Sequence, residues 1–145
     1  MPSLSIGALA VSGTCAANAG NCLVNRKYSR SAIDVQSEIN SFIINAVALS
    51  AKDDNAASTA SVKNNAFYVQ ALYAVKDGSR TTWAPLIRFD SYEKSGGTEK
   101  VNELTLSANY YITENVRGML EFWSKDSDNS ANDDDRLTAQ VFAAF

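Results

Sequence analysis

An all-β fold, an antiparallel up-and-down transmembrane β-barrel of about eight strands, is what this sequence predicts, and three observations predict it. Apolar and polar residues alternate with a period of two in segment after segment, the spacing of strands that present one apolar and one polar face. The connections between those segments alternate, long and polar, then short and turn-like. The last nine residues, Leu137 to Phe145, keep an apolar face to the final aromatic, where a water-soluble domain usually frays.

Taken in order, Leu4, Ile6, Ala8 and Ala10 form the outward face of a first strand. The opening residues lack the basic start and sustained apolar run of a secretory signal, so any export signal is expected to lie outside this chain. In the second strand, Ser31–Ile39, Ile33, Val35 and Ile39 share one face, and Asp34, Gln36 and Glu38 the other. Helix is the rival over Val35–Ala51, but polar residues at every second place favour a strand. After a brief Asn40-Ser41 turn, the third strand, Phe42–Leu49, puts Phe42, Ile44, Ala46 and Ala48 outward. It is the most weakly patterned, because Ile43, Val47 and Leu49 share its inner face.

A polar loop from Lys52 to Asn65 precedes the fourth strand, Ala66–Val75, with Phe67, Val69, Ala71, Tyr73 and Val75 outward. Lys76–Arg80 is a compact turn. The fifth strand, Thr82–Tyr92, sets Trp83, Pro85, Ile87 and Phe89 against Arg88 and Asp90; Pro85 removes a ladder donor, so a bulge or strand end is expected nearby. Beyond the loop Glu93–Lys100, the sixth strand, Glu103–Ile112, alternates most cleanly, with Leu104, Leu106, Ala108, Tyr110 and Ile112 opposite Glu103, Thr105, Ser107, Asn109 and Tyr111. A Thr113–Asn115 turn leads to the seventh, Val116–Trp123, and an acidic loop, Ser124–Asp135, to the last. Long loops near Cys15, Asp53, Gly96 and Asp133 fall on one rim, and short turns at Asn40, Lys76 and Thr113 on the other.

Charges within the strands decide what each face meets. Asp34, Glu38, Arg88, Asp90, Glu103, Arg117, Glu121 and Arg136 all lie opposite the apolar face, the arrangement of a transmembrane barrel with a polar lumen. Asp34, Glu38, Arg88, Asp90, Arg117 and Glu121 are therefore the candidate pore-lining residues. A soluble barrel would invert the sense and enclose a small apolar ligand. Small residues on the apolar face (Ala71, Ala108, Gly118, Ala139), aromatics near strand ends (Phe67, Trp83, Tyr110, Phe122) and the terminal Phe145 favour the membrane.

Composition narrows the field further. The 145 residues suffice for one domain, 1–145, as a whole barrel or the C-terminal portion of one. No stretch reaches the roughly 18 consecutive apolar residues of a spanning helix. A net charge of −3 without a basic cluster argues against nucleic acid. Histidine is absent and no Gly-x-Ser-x-Gly occurs, so neither a hydrolytic triad nor a metal site is expected, and no cofactor. Cys15 and Cys22 sit in a turn-forming segment and are disulfide candidates in an oxidising compartment. Thiol labelling of unreduced, exported protein is expected to find neither free; stoichiometric labelling of both would reject the pairing.

The segments Trp83–Tyr92, Leu104–Arg117 and Asp135–Phe145 resemble the C-terminal strands of Gram-negative outer-membrane porins of the phosphate-selective porin O and P type, and the resemblance extends over roughly Ile33–Phe145. It implies an outer-membrane channel for passive diffusion of small hydrophilic solutes or ions, and not an enzyme. It implies as partners outer-membrane lipid and lipopolysaccharide, the insertion machinery acting through Phe145, and an oligomer. Because that family forms larger barrels, the chain resembles a C-terminal half; a small non-conducting structural barrel is the other reading. The family's anion selectivity does not carry over to a face that mixes Arg88 and Arg117 with Asp34, Glu38, Asp90 and Glu121. Closure requires the edge Leu4–Ala10 to pair with Leu137–Phe145 or with a partner segment.

Overall fold

The computed structural model describes residues 2–14, 27–54, 61–94 and 99–144. They form one antiparallel sheet: β1 (Ser3–Thr14), β2 (Lys27–Ile39), β3 (Phe42–Asp54), β4 (Ser61–Tyr73), β5 (Val75–Asp77), β6 (Arg80–Lys94), β7 (Glu99–Tyr111), β8 (Val116–Ser127) and β9 (Asp134–Ala143). The order in space is β1-β2-β3-β4-β6-β7-β8-β9, with β5 beside β6, so the chain is a meander of eight crossings. Among the described residues the sheet is open. β1 and β9 are its edges and do not pair with each other, and each strand contacts only the strands it pairs with.

The expected fourth strand, Ala66–Val75, is two strands. The Ala74 N–H still donates to the Ser41 carbonyl at 2.8 Å, on the β3 side, while the register of β5 against β6 slips between Val75 and Lys76. Regular β4–β6 pairing stops at Leu72–Leu86, so the next residue on β6 toward the turn is Pro85. A strand that cannot donate there gives its neighbour no reason to stay in register, and the irregularity expected from Pro85 is found on the strand facing it.

The two tight turns rest on residues that accept a left-handed backbone. Asn40 has φ 56°, between the paired Ile39 and Phe42, and Gly78 has φ 60°, between Asp77 and Arg80. Space is open around Gly78, so a side chain there is opposed by the backbone alone. Gly78→Val is expected to cost about 1–2 kcal/mol, read as a lower urea midpoint for unfolding from lipid; an unchanged midpoint would count against the turn geometry.

Strands are longer than the alternation suggests, and most of the extra length is at the rim of the long connections; β5 and β6 also extend into the expected Lys76–Arg80 turn. β3 runs on to Asp54 and β4 begins at Ser61, within the expected Lys52–Asn65 loop. The expected Ser124–Asp135 loop is likewise shortened, since β8 reaches Ser127, a 3-10 turn occupies Ser130–Asn132, and β9 starts at Asp134. A tilted strand crosses hydrocarbon in about 9–11 residues, so strands of 12 to 15 residues project beyond it. There both faces meet water and alternation disappears, although the ladder continues. Cys15, Cys22 and Phe145 lie outside the described residues.

The sheet has almost no core of its own. Among the described residues Ala84 is the buried apolar side chain, while Leu4 (66 %), Leu137 (69 %) and Val141 (76 %) stand largely exposed. A sheet stabilised in water covers one face with another layer. This one leaves its apolar face bare.

Candidate functional site: a polar wall

The register assigns every strand residue to one of two faces. One face is mainly apolar: the row Leu4–Ser37–Ile44–Ala71–Ile87–Leu106–Phe122–Leu137 spans all eight crossings with Ser37 as its polar member, and the next, Ile6–Val35–Ala46–Val69–Phe89–Leu104, is apolar over six before it reaches Ser124 and Asp135. Aromatic pairs mark its two ends, Phe42–Tyr73 at 4.5 Å between ring centroids and Phe67–Phe89 at 5.9 Å. Tyr73 and Phe67 are six residues apart, about 20 Å along the strand, as expected of two girdles flanking an apolar band.

Asp34, Glu38, Arg88, Asp90, Arg117 and Glu121 all fall on the other face. Asp34 is opposite Gly7 and Val47, Glu38 opposite Ser3 and Ile43, Arg88 opposite Gln70 and Thr105, Asp90 opposite Tyr68 and Glu103, Arg117 opposite Tyr111 and Phe142, and Glu121 opposite Ser107 and Thr138. On the middle strands this charged face is the more sheltered one: Arg88 and Asp90 are half-buried while Ile87 and Phe89 beside them are exposed, and Glu121 and Trp123 are half-buried while Leu120 and Phe122 are exposed. That is the reverse of a protein folded against water. Side chains crowd one another on the inside of a curved wall and splay on its outside, so the polar face is the inside.

Of the six candidates, the sheet brings Arg88 and Asp90 into contact. The Arg88 Nε donates to Asp90 Oδ2 at 2.7 Å and Nη2 to Oδ1 at 2.6 Å, a bidentate, charge-assisted fork. The guanidinium also lies 4.3 Å from the Tyr68 ring centroid, a cation–π distance. Asp90 and Glu103 are direct cross-strand partners, a like-charge pairing that is unfavourable unless cations intervene; Arg88 stands beside it, and Trp123 Nε1 donates to Glu103 Oε2 at 3.2 Å. Asp34, Glu38, Arg117 and Glu121 have no ion-pair partner among the described residues. Asp34 instead lies across Gly7, where a methyl group would displace its carboxylate.

Four arginines of the wall are matched to aromatic rings: Arg88 to Tyr68, Arg117 to Phe142 at 4.5 Å, Arg136 to Trp123 at 5.0 Å, and Arg30, near the loop rim, to Tyr28 at 5.7 Å. Arg30 also forks onto Asp53 at 2.8 and 2.9 Å. Sequence reasoning did not single out Tyr68, Trp123 and Phe142. Their signal was parity, since they are the aromatics that fall out of phase with the apolar face.

The arrangement is a wall with two chemically distinct faces. No group of His, Cys, Asp and Glu able to hold a metal occurs among the described residues. What it offers is a charged, hydrogen-bonding surface backed by a surface suited to lipid. Comparison with known proteins agrees: the family model for phosphate-selective porin O and P matches residues 11–144. Neither the curated proteins nor the solved structures give a match. With an apolar outside, a charged inside and a family match over nearly its whole length, the chain belongs to the phosphate-selective porin O and P family, whose members are porin-type channels of the outer membrane.

Proposed function

We propose that the chain forms the wall of a passive channel in the bacterial outer membrane, through which small hydrophilic solutes or ions diffuse past Asp34, Glu38, Arg88, Asp90, Arg117 and Glu121. The observation that carries this reading is the inverted exposure on the middle strands β6 and β8, where Arg88, Asp90 and Glu121 are sheltered and Ile87, Phe89, Leu120 and Phe122 are bare. Its apolar face meets outer-membrane lipid and lipopolysaccharide, and Phe145 engages the insertion machinery. Selectivity is weak, because the acids Asp34 and Glu38 on β2 and the bases Arg117 and Arg136 on β8 and β9 offer charge of both signs.

Width favours a conducting wall over a small filled barrel. A closed barrel of about eight strands nearly fills its interior with side chains, yet among the described residues the sheet is open, with β1 and β9 unpaired. In lipid the edges β1 and β9 must both be paired, since each unsatisfied backbone group there costs several kcal/mol. Reconstitution into planar bilayers tests the proposal. Stepwise ohmic conductance, with heat-modifiable migration and retention in the detergent fraction, is the expected result. Recovery in the soluble fraction, or insertion without conductance, would overturn it.

A further inference from the structure

One row of the polar wall differs from the rest. Ser5, Gln36, Asn45, Gln70, Arg88, Thr105, Trp123 and Arg136 are successive, directly opposed partners, one from each crossing. Every member carries a hydrogen-bonding group. The row on its one side is interrupted by Gly7 and Val47, and the row on its other by Ile43, Leu72 and Leu86.

The row also crosses the sheet diagonally. Ser5 is the third residue of β1, at the rim of the short turns, and Arg136 is the third residue of β9, at the rim of the long connections. Between them Gln36, Asn45 and Gln70 sit near the turn ends of their strands, and Arg88, Thr105 and Trp123 sit farther from those ends, toward the middle of theirs. Seven inter-strand steps of about 4.8 Å make a contour of roughly 34 Å. On a wall of tilted strands such a line climbs from one side of the membrane to the other.

We infer that this row is a track that binds neutral, polyhydroxylated solutes, of the oligosaccharide class, as they pass; the inference rests on the channel reading above. Gln36, Asn45 and Gln70 each offer a donor and an acceptor on one amide, the pair that neighbouring hydroxyls satisfy, and none of the three is hydrogen-bonded among the described residues. Trp123, with Tyr68 in the adjacent row, supplies aromatic rings suited to the C–H face of a sugar, each with an arginine against it, Arg136 and Arg88, that a bound sugar would displace or meet alongside. Anions are disfavoured. Arg88 is neutralised by its fork onto Asp90, which leaves Arg136 as the other cation of the row, and acids outnumber bases in the flanking rows: Asp34, Asp90, Glu103 and Asp134 with Lys125 on one side, Glu38 and Glu121 on the other.

Trp123 lies in the row and Trp83 on the apolar face, and these are the two tryptophans of the chain, so Trp83→Phe leaves one fluorophore on the track. The experiment follows Trp123 emission in this protein, folded into lipid, during titration with maltohexaose or with inorganic tripolyphosphate, alongside conductance of the same sample. A saturable response to maltohexaose and none to tripolyphosphate is expected. Asn45→Leu combined with Gln70→Leu, far along the row from the reporter, should raise the maltohexaose midpoint about tenfold, as loss of one or two hydrogen bonds implies. Conductance with no maltohexaose response, a response to tripolyphosphate alone, or a midpoint unmoved by the double substitution overturns the track and leaves the channel. Absence of both conductance and response overturns both readings, and a response without conductance supports the track against the channel.

Discussion

Leu106→Arg is expected to destabilise the protein in lipid by about 2–4 kcal/mol, and Ser107→Arg, one residue along, by little. The two positions differ in the face they occupy. Leu106 is 42 % exposed on the apolar face, between Ile87 and Phe122. Ser107 lies on the polar face between Leu86 and Glu121, where a guanidinium gains a carboxylate within reach across the ladder. Near the bilayer midplane an arginine on the apolar face must drag water inward or leave its charge in hydrocarbon. Folding titrations in urea with lipid vesicles measure both costs. Equal tolerance of the two substitutions would sink the assignment of the apolar face to lipid.

Arg88→Leu comes second in expected effect. It removes two hydrogen bonds of 2.6 and 2.7 Å and the contact with Tyr68, and it leaves Asp90 directly opposite Glu103 with its shielding cation gone. Because the site is half-exposed, the loss of stability is expected at about 1–2 kcal/mol rather than the larger cost of breaking a buried pair. The removed positive charge should also raise the preference for cations, read as a shifted reversal potential in a salt gradient. Arg88→Lys keeps the charge but cannot make the planar fork, so it should preserve selectivity while losing part of the stability. A reversal potential unmoved in Arg88→Leu would show that Arg88 does not face the passage.

Parity was legible in the sequence because the chemistry of lipid and water imposes it on every second residue. Asp34, Glu38, Arg88, Asp90, Arg117 and Glu121 were identified by that rule alone, and the register puts all six on one face. Strand ends were less legible. Lys52, Asp53 and Asp54 continue β3, but beyond the membrane both faces are wet and no alternation survives to mark them. The split at Ala74 was half visible, since Pro85 announces a lost donor but not which neighbouring strand will yield. The Arg88–Asp90 fork and the arginine–aromatic contacts depend on which side chains meet across the ladder, and a list of strands without its pairings contains no such information. Whether the edges meet was also illegible, because closure depends on tilt and total strand number.

A sheet whose buried apolar inventory is little more than Ala84 has a consequence for when it can fold. Ordering each residue costs on the order of 1–2 kcal/mol of entropy, and in water most apolar side chains of this sheet stay exposed or partly covered, with few fully buried to offset it. Acyl chains supply the missing half of the core, so adopting the fold and entering the membrane become a single event, and the chain must be kept from aggregating until then. Stability is then as much a property of the host bilayer as of the sequence. It can be tuned, without changing a residue, by choosing lipids whose hydrocarbon thickness matches the apolar band between the Phe42–Tyr73 and Phe67–Phe89 pairs.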